Sequence, residues 1–313
     1  MGRFFVKRVL MACMTVLLVA VVTFFLMNAI PGNPWLSEKT PPQATIDALN
    51  AKYGLDQPLP VQLAKYLGNV LRGDFGVSIK MMKNYPVRNI ILEMFPVSAR
   101  IGIIALIWAV LAGIPLGCLA AYHRGKAADS ILRVVSTLGV ATPQFVIAVV
   151  FMVLFTMGGV FPILPNTFDL ANWQSYLLPC FALGLYPMCY TARQTRSSML
   201  DALGQDYIRT ARAKGLPVGR IIFKHALRNA LIPVITYLGP LTAFVLSGGF
   251  VVEKVFSVPG LGRYFTQSIL NRDYPVIMGT TIFLATFIIV MNLVVDILYR
   301  VVDPRIDIAK GGN

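Results

Sequence analysis

QDYIRTARAKGLPVGRIIFKHALRNALIPV, residues 205–234, carries Arg209, Arg212, Lys214, Arg220, Lys224 and Arg228 against one acid, Asp206. The charge-free run Tyr176–Ala192 precedes it, and a second, Ala230–Val252, overlaps its end. A basic stretch between two apolar runs reads as a connection joining two membrane crossings, with its positive charge held on one side.

The rest of the chain extends that reading. Its 313 residues are 56% hydrophobic and only 13% charged, with mean hydropathy +0.68. Four more runs lack Asp, Glu, Lys and Arg: Val9–Ile30, Ile101–Tyr122, Val134–Pro162 and Val276–Val295. Five of the six approach or exceed the roughly 20 residues that a helix needs to cross the hydrocarbon core, and Tyr176–Ala192 is at the lower limit. A buried core accounts for one such run, not for six. The pattern predicts an all-α polytopic membrane protein with six transmembrane helices.

The net charge of +14 is read by place before any nucleic-acid partner is invoked. With six crossings both termini share a side. Of the 28 Lys and Arg, 17 lie in Met1–Arg8, His123–Arg133, Arg193–Asn229 and the tail from Asp296. The short connections opposite, Ile163–Ser175 and Glu253–Pro275, hold three, and the long segment Pro31–Arg100 holds eight. Long segments weigh little in the positive-inside rule, so both termini are expected in the cytoplasm and the chain in the cytoplasmic (inner) membrane. The first run is too long for a signal-peptide core and lacks a small-x-small cleavage pattern, which makes it an uncleaved helix.

Cys13, Cys118, Cys180 and Cys189 lie inside apolar runs without CxxC spacing, and His123 and His225 have no ligand set around them. No disulfide framework, metal site or cofactor is expected. Gly125-Lys126-Ala127 lacks the surroundings of a phosphate-binding loop. The spans contain no Asp, Glu, Lys or Arg, and Arg100, Glu253, Lys254 and Asp296 fall at run ends, where snorkelling or helix-end pairing explains them. The chain has no evident catalyst, so any energy for transport comes from elsewhere. A channel or secondary carrier is the alternative.

The expected organisation is an N-terminal tail and first helix (1–30), an extracytoplasmic cap (31–97), a five-helix core (98–303) with a cytoplasmic coupling loop (193–229), and a tail (304–313). Within the cap, Pro42–Tyr53 and Pro60–Leu71 read as short amphipathic helices, the second with Leu63, Tyr66, Leu67 and Val70 on one face. Pro143, Pro179, Pro187, Pro233 and Pro240, and Gly113-Ile114-Pro115, predict kinks. Such breaks suit either irregular packing or a pathway-lining core.

Within the basic loop, Leu203, Tyr207 and Ala211, with Ile208 adjacent, form an apolar stripe on a helix from about Leu203 to Lys214. Arg209 and Arg212 flank it and Gly215 stops it. Periodicity alone leaves two readings open, a protein-docking helix and an amphipathic helix on the anionic leaflet.

The motifs break the tie. SSML at 197–200, DYIRTARAKGL at 206–216 and HALRNALIPV at 225–234 resemble the cytoplasmic loop of bacterial ABC-importer permeases of the dipeptide/oligopeptide branch. FFVKR at 4–8, IPGNP at 30–34, KYGLDQP at 52–58, GDFG at 73–76, FSVPGLG at 256–262, RDYP at 272–275 and VDPR at 302–305 match at corresponding places. IPGNPW at 30–35 followed by SEKTPP at 37–42, FPVSAR at 95–100 and the short Ile163–Ser175 connection are most similar to oligopeptide B-type subunits.

The resemblance implies a type I ABC-importer transmembrane fold in which the loop's EAA motif forms a coupling helix seated in an ATPase groove. Ala211 and Gly215 match that motif; Arg209 stands at its glutamate position, so no glutamate contact carries over. On this reading Leu203, Tyr207, Ile208, Arg209, Ala211, Arg212 and Gly215 form the docking site, with Tyr207, Ile208 and Ala211 inserted. The implied partners are a second, C-type permease subunit, two cytoplasmic ATPase subunits carrying ATP and Mg, an extracytoplasmic peptide-binding protein and membrane lipid. The implied cargo is oligopeptide, with dipeptide, glutathione or nickel as alternatives.

Overall fold

The computed structural model describes residues 2–29, 47, 50–51, 54 and 56–302. Among them helices dominate and no strand forms. The helices are α1 (Gly2–Ala29), α2 (Leu59–Leu71), α3 (Val87–Tyr122), α4 (Ala127–Ala141), α5 (Gln144–Phe155), α6 (Gln174–Leu203), α7 (Asp206–Ala213), α8 (Leu227–Leu246), α9 (Phe250–Val255), α10 (Leu261–Asn271) and α11 (Tyr274–Val302). A helical turn (Val218–Arg220) and a π-helical segment (Ile221–Ala226) lead into α8.

Four stretches are long and apolar enough to cross a membrane: Val6–Ala29, Val87–Tyr122, Val218–Val255 and Tyr274–Val295. The pair α4 and α5, bent by 106°, makes a fifth if counted as one span. The expected run Tyr176–Ala192 lies in α6, whose 30 residues supply ample length but include Pro179, Pro187 and many buried residues packed inside the protein. The expected helix over Pro42–Tyr53 lies mostly outside the described residues, as does the tail.

The chain divides into two compact units. The first comprises residues 1–96 and 263–289. Its core joins Ala20, Phe24 and Met27 of α1 to Ile277, Met278 and Ile282 of α11. The stripe Leu63, Tyr66, Leu67 and Val70 of α2 packs against that core, as the sequence predicted. Gly279 permits a close approach here, since a Cβ would come within 2.6 Å of Val87 and 3.1 Å of Phe75. Phe95 meets Phe283 and Phe287 edge-on, with centroids 4.9 and 4.8 Å apart, a favoured aromatic geometry.

A buried carboxylate orders the loop of this unit. Asp273 accepts hydrogen bonds from Ser78 Oγ (2.5 Å) and from the backbone N–H groups of Ile79 (3.0 Å), Lys80 (3.0 Å) and Met81 (2.9 Å). Its own carbonyl accepts from Ile277 at the start of α11 (3.0 Å). One side chain therefore fixes a loop and a helix start. Burial, then the nearby Arg272 charge, lowers the pKa of Lys80, and Asp273 opposes the shift.

The second unit comprises residues 97–262 and 290–313. The bend between α4 and α5 falls at Thr142-Pro143, where Thr142 is extended (φ −79°, ψ 125°), as a residue before proline prefers to be. By contrast α3 runs unbroken through Gly113-Ile114-Pro115, and α6 and α8 continue through their prolines. The Leu183 carbonyl, which Pro187 deprives of its helical donor, accepts instead from Gln144 Nε2 on α5 (3.3 Å).

Gly113 and Gly117 lie one turn apart on α3. A Cβ at either would collide with α6, 2.9 Å from the Met188 carbonyl and 2.5 Å from the Ala192 carbonyl. Small residues at such spacing let membrane helices approach closely.

One expectation fails here. Glu253 is not a snorkelling end residue; it is 1% exposed, with its carboxylate enclosed beside Gly248, Gly260 and Gly262. A Cβ at Gly260 would lie 2.4 Å from one carboxylate oxygen, and one at Gly248 would lie 2.8 Å from the other. Ser98 Oγ accepts from the Leu261 N–H in the same place (2.8 Å). The FSVPGLG turn is folded around a buried acid that run ends alone could not reveal.

Candidate functional site

The basic loop forms a compact hairpin. α6 ends at Leu203, Gly204-Gln205 turns the chain, and α7 begins at Asp206, so Leu203 belongs to the preceding helix rather than to the docking helix. α7 ends as its sequence demands. Gly215 has φ +70°, its N–H bonds to the Arg212 carbonyl (2.9 Å), and the Leu216 N–H bonds to the Ala211 carbonyl (3.3 Å). Those two bonds make a Schellman cap, with Leu216 and Ala211 in one apolar cluster.

The apolar stripe of α7 turns inward. Ile208 is 0% exposed and Ala211 6%, packed with Cys118 and Ala121 of α3 and Met199 and Ala202 of α6. This corrects the expectation that Ile208 and Ala211 enter a partner's groove, because they secure α7 to its own chain. The outward surface comprises Asp206, Tyr207 (39% exposed), Arg209, Thr210, Arg212 and Ala213, with Lys214 and Gly215 following. The Asp206–Arg209 ion pair (3.4 Å) is highly exposed and contributes little to stability.

An ion pair that sequence reasoning missed braces the base of this hairpin. Asp129, at the start of α4, is 1% exposed. It accepts from Arg196 Nε (2.5 Å) and Nη2 (3.0 Å) of α6 and from the Gly125 N–H (2.9 Å). The two-pronged geometry is the strong form of this interaction. The pair ties the turn after α3 to the last turns of α6, from which α7 hangs. Asp129 is the only acid between Glu93 and Asp169, the one hint that the sequence offered. A cavity of about 470 Å³ lies alongside, lined by Tyr122, Arg124, Leu203, Arg212 and Ile222 among others.

Among the described residues, no three His, Cys, Asp or Glu side chains are grouped to hold a metal. The outward face of α7 has hydroxyl, phenol and guanidinium groups and one carboxylate, Asp206, a net positive polar surface suited to a polar or acidic partner.

Comparison with known proteins places these features in context. Residues 113–308 match the family model "Binding-protein-dependent transport system inner membrane component". Residues 1–102 match "Binding-prot-dependent transport system membrane comp, N-term". The chain is 44% identical to the dipeptide transport system permease protein DppB of Bacillus subtilis (strain 168), over 100% of both chains. It is 40% identical to the oligopeptide transport system permease protein OppB of Haemophilus influenzae, covering 98% of this chain and 99% of that one. Against OppB of Escherichia coli (strain K12) identity is 37%, with the same coverage.

Proposed function

Because the chain belongs to the family of binding-protein-dependent transport system inner membrane components, we propose that it is the permease subunit through which an ATP-driven importer takes up oligopeptides. On this reading it crosses the cytoplasmic membrane six times, with α6 as one crossing and both termini inside, in the type I ABC-importer fold. A second, homologous permease subunit completes the pathway. Two ATPase subunits bind and hydrolyse ATP with Mg, and an extracytoplasmic binding protein delivers the peptide to the side bearing residues 31–97. This chain contributes no catalysis.

The observation that supports coupling is the inward turn of the α7 stripe. A helix lying on a lipid surface inserts its apolar face into the acyl boundary. The apolar face of α7 is already buried in its own chain, which leaves Tyr207, Arg209 and Arg212 outward. Those groups suit a wet protein interface, where Tyr and Arg are enriched. The docking surface is therefore Tyr207, Arg209, Arg212 and the Gly215 turn, with Ile208 and Ala211 as the internal anchor.

Reconstitution tests the cargo and the energy source together. Proteoliposomes containing both permease subunits, the ATPases and the binding protein are expected to accumulate labelled oligopeptides only with ATP. Dipeptides belong in the same assay, because the relative at 44% identity is a dipeptide permease by name. Uptake that persists without ATPase subunits would overturn the assignment. Impermeant thiol labelling of Gly312→Cys from inside only, and of Ser37→Cys from outside only, tests the orientation.

A further inference from the structure

A second cavity, of about 540 Å³, opens at the other end of the helices that carry the hairpin. Its walls include Arg100, Ile104 and Trp108 of α3, Trp173 in the preceding connection, and Tyr176 and Phe181 of α6. Among the described residues of the lining, Arg100 alone is charged. Its Nη1 donates to the Tyr176 hydroxyl (3.2 Å), which donates onward to the Leu170 carbonyl (3.2 Å). The phenol thus orients an exposed guanidinium with several donors left to face a ligand.

Position identifies that ligand. Arg100 and Tyr122 bracket a charge-free stretch of α3, and at 1.5 Å per residue they are about 33 Å apart. That matches the roughly 30 Å thickness of a hydrocarbon core. Arg100 therefore sits at the membrane border remote from the hairpin, beside Trp173 and Tyr176, residues typical of that level, with Trp108 about two turns deeper on α3. Below it Ile104, Ile107 and Leu111, spaced i, i+3 and i+7, form an exposed apolar stripe down one face of α3.

We propose that this groove holds one membrane phospholipid, with its phosphate on Arg100 and an acyl chain along Ile104, Ile107 and Leu111. A guanidinium matches phosphate both in charge and in the geometry of its donors. A protein helix seated there would trap the charge against apolar groups without an anion, an unfavourable burial. A peptide cargo would find too few polar groups to satisfy its backbone. On the orientation proposed above, the lipid comes from the outer leaflet.

The test uses the purified transporter complex and two photoactivatable probes, a phosphatidylglycerol and the matching diacylglycerol without phosphate. The phosphatidylglycerol probe is expected to label peptides spanning residues 104–111 and 173–181. Arg100→Gln should cut that labelling about tenfold, the scale of one lost charge-assisted hydrogen bond, and Arg100→Lys should retain most of it. Trp173→Ala, at the exposed rim, should lower labelling several-fold and serves if Arg100→Gln does not fold. The diacylglycerol probe should label wild type no better than phosphatidylglycerol labels Arg100→Gln. Equal labelling of wild type and Arg100→Gln, displacement of the lipid by inorganic phosphate, or cross-linking of residue 104 to another permease subunit would each overturn the proposal.

Discussion

Asp129 and Asp273 are both buried at helix starts, yet their partners differ. Asp273 collects a hydroxyl and three backbone amides from the 78–81 loop. Asp129 takes a two-pronged guanidinium from a helix 67 residues away in sequence, a longer ion pair from Arg133 (3.7 Å) and a single amide. In the first unit a carboxylate shapes a loop by geometry, while in the second it locks two helices by charge. Losing Asp273 leaves neutral donors to find other partners, whereas losing Asp129 leaves a full guanidinium charge, 19% exposed, without its bidentate counter-ion. That asymmetry orders the expected effects.

The largest effect is expected at the charged junction. Asp129→Ala leaves Arg196 without its counter-charge and should destabilise the second unit by roughly 3 kcal/mol or more. Loss of thermal stability and of ATPase-subunit retention in the purified complex measures it. Arg196→Lys keeps the charge but not the fork, and should recover part of the loss. If Asp129→Ala and Asp273→Ala gave equal losses, the contrast between charge and geometry would be wrong.

A smaller loss is expected at the amide hub. Asp273→Asn keeps the shape but turns an NH₂ towards donors, costing about 1–3 kcal/mol for the groups left unsatisfied. Its signature is local. Proteolysis between residues 76 and 86 should accelerate while ATPase-subunit retention stays at the wild-type level. Gly215→Val should follow, at roughly 1–2 kcal/mol, because a β-branched side chain resists φ +70°. Its readout is weaker ATPase retention in a protein of nearly normal thermal stability. The smallest effect is expected from Asp206→Ala, which removes the exposed pair with Arg209 and should change stability by less than about 0.5 kcal/mol.

The same contrast explains what could be read in the sequence. The α2 stripe and the stop at Gly215 are local patterns, and each is present in the structure, while four or five of the apolar runs appear as helices able to span a membrane. Periodicity also found the α7 stripe, but a stripe does not say whose surface covers it. Ile208 and Ala211 are covered by Cys118, Met199 and Ala202 of their own chain, a long-range fact without a local signal. Asp129–Arg196 escaped for the same reason. Glu253 lies beside a charge-free run, so hydropathy treated it as an end residue, although three glycines make room for it inside. Pro143 and Pro115 look alike in the sequence, yet the helix is interrupted at the first and continuous through the second.

Site-specific photo-cross-linking along α7, in cells producing the whole transporter, tests the central claim most directly. A photoactivatable residue placed in turn at 207, 208, 209 and 211 samples both faces of one short helix. Adducts to an ATPase subunit are expected from 207 and 209, with 208 and 211 cross-linking only within the chain. ATPase adducts from 208 and 211, or none from 207 and 209, would contradict the account.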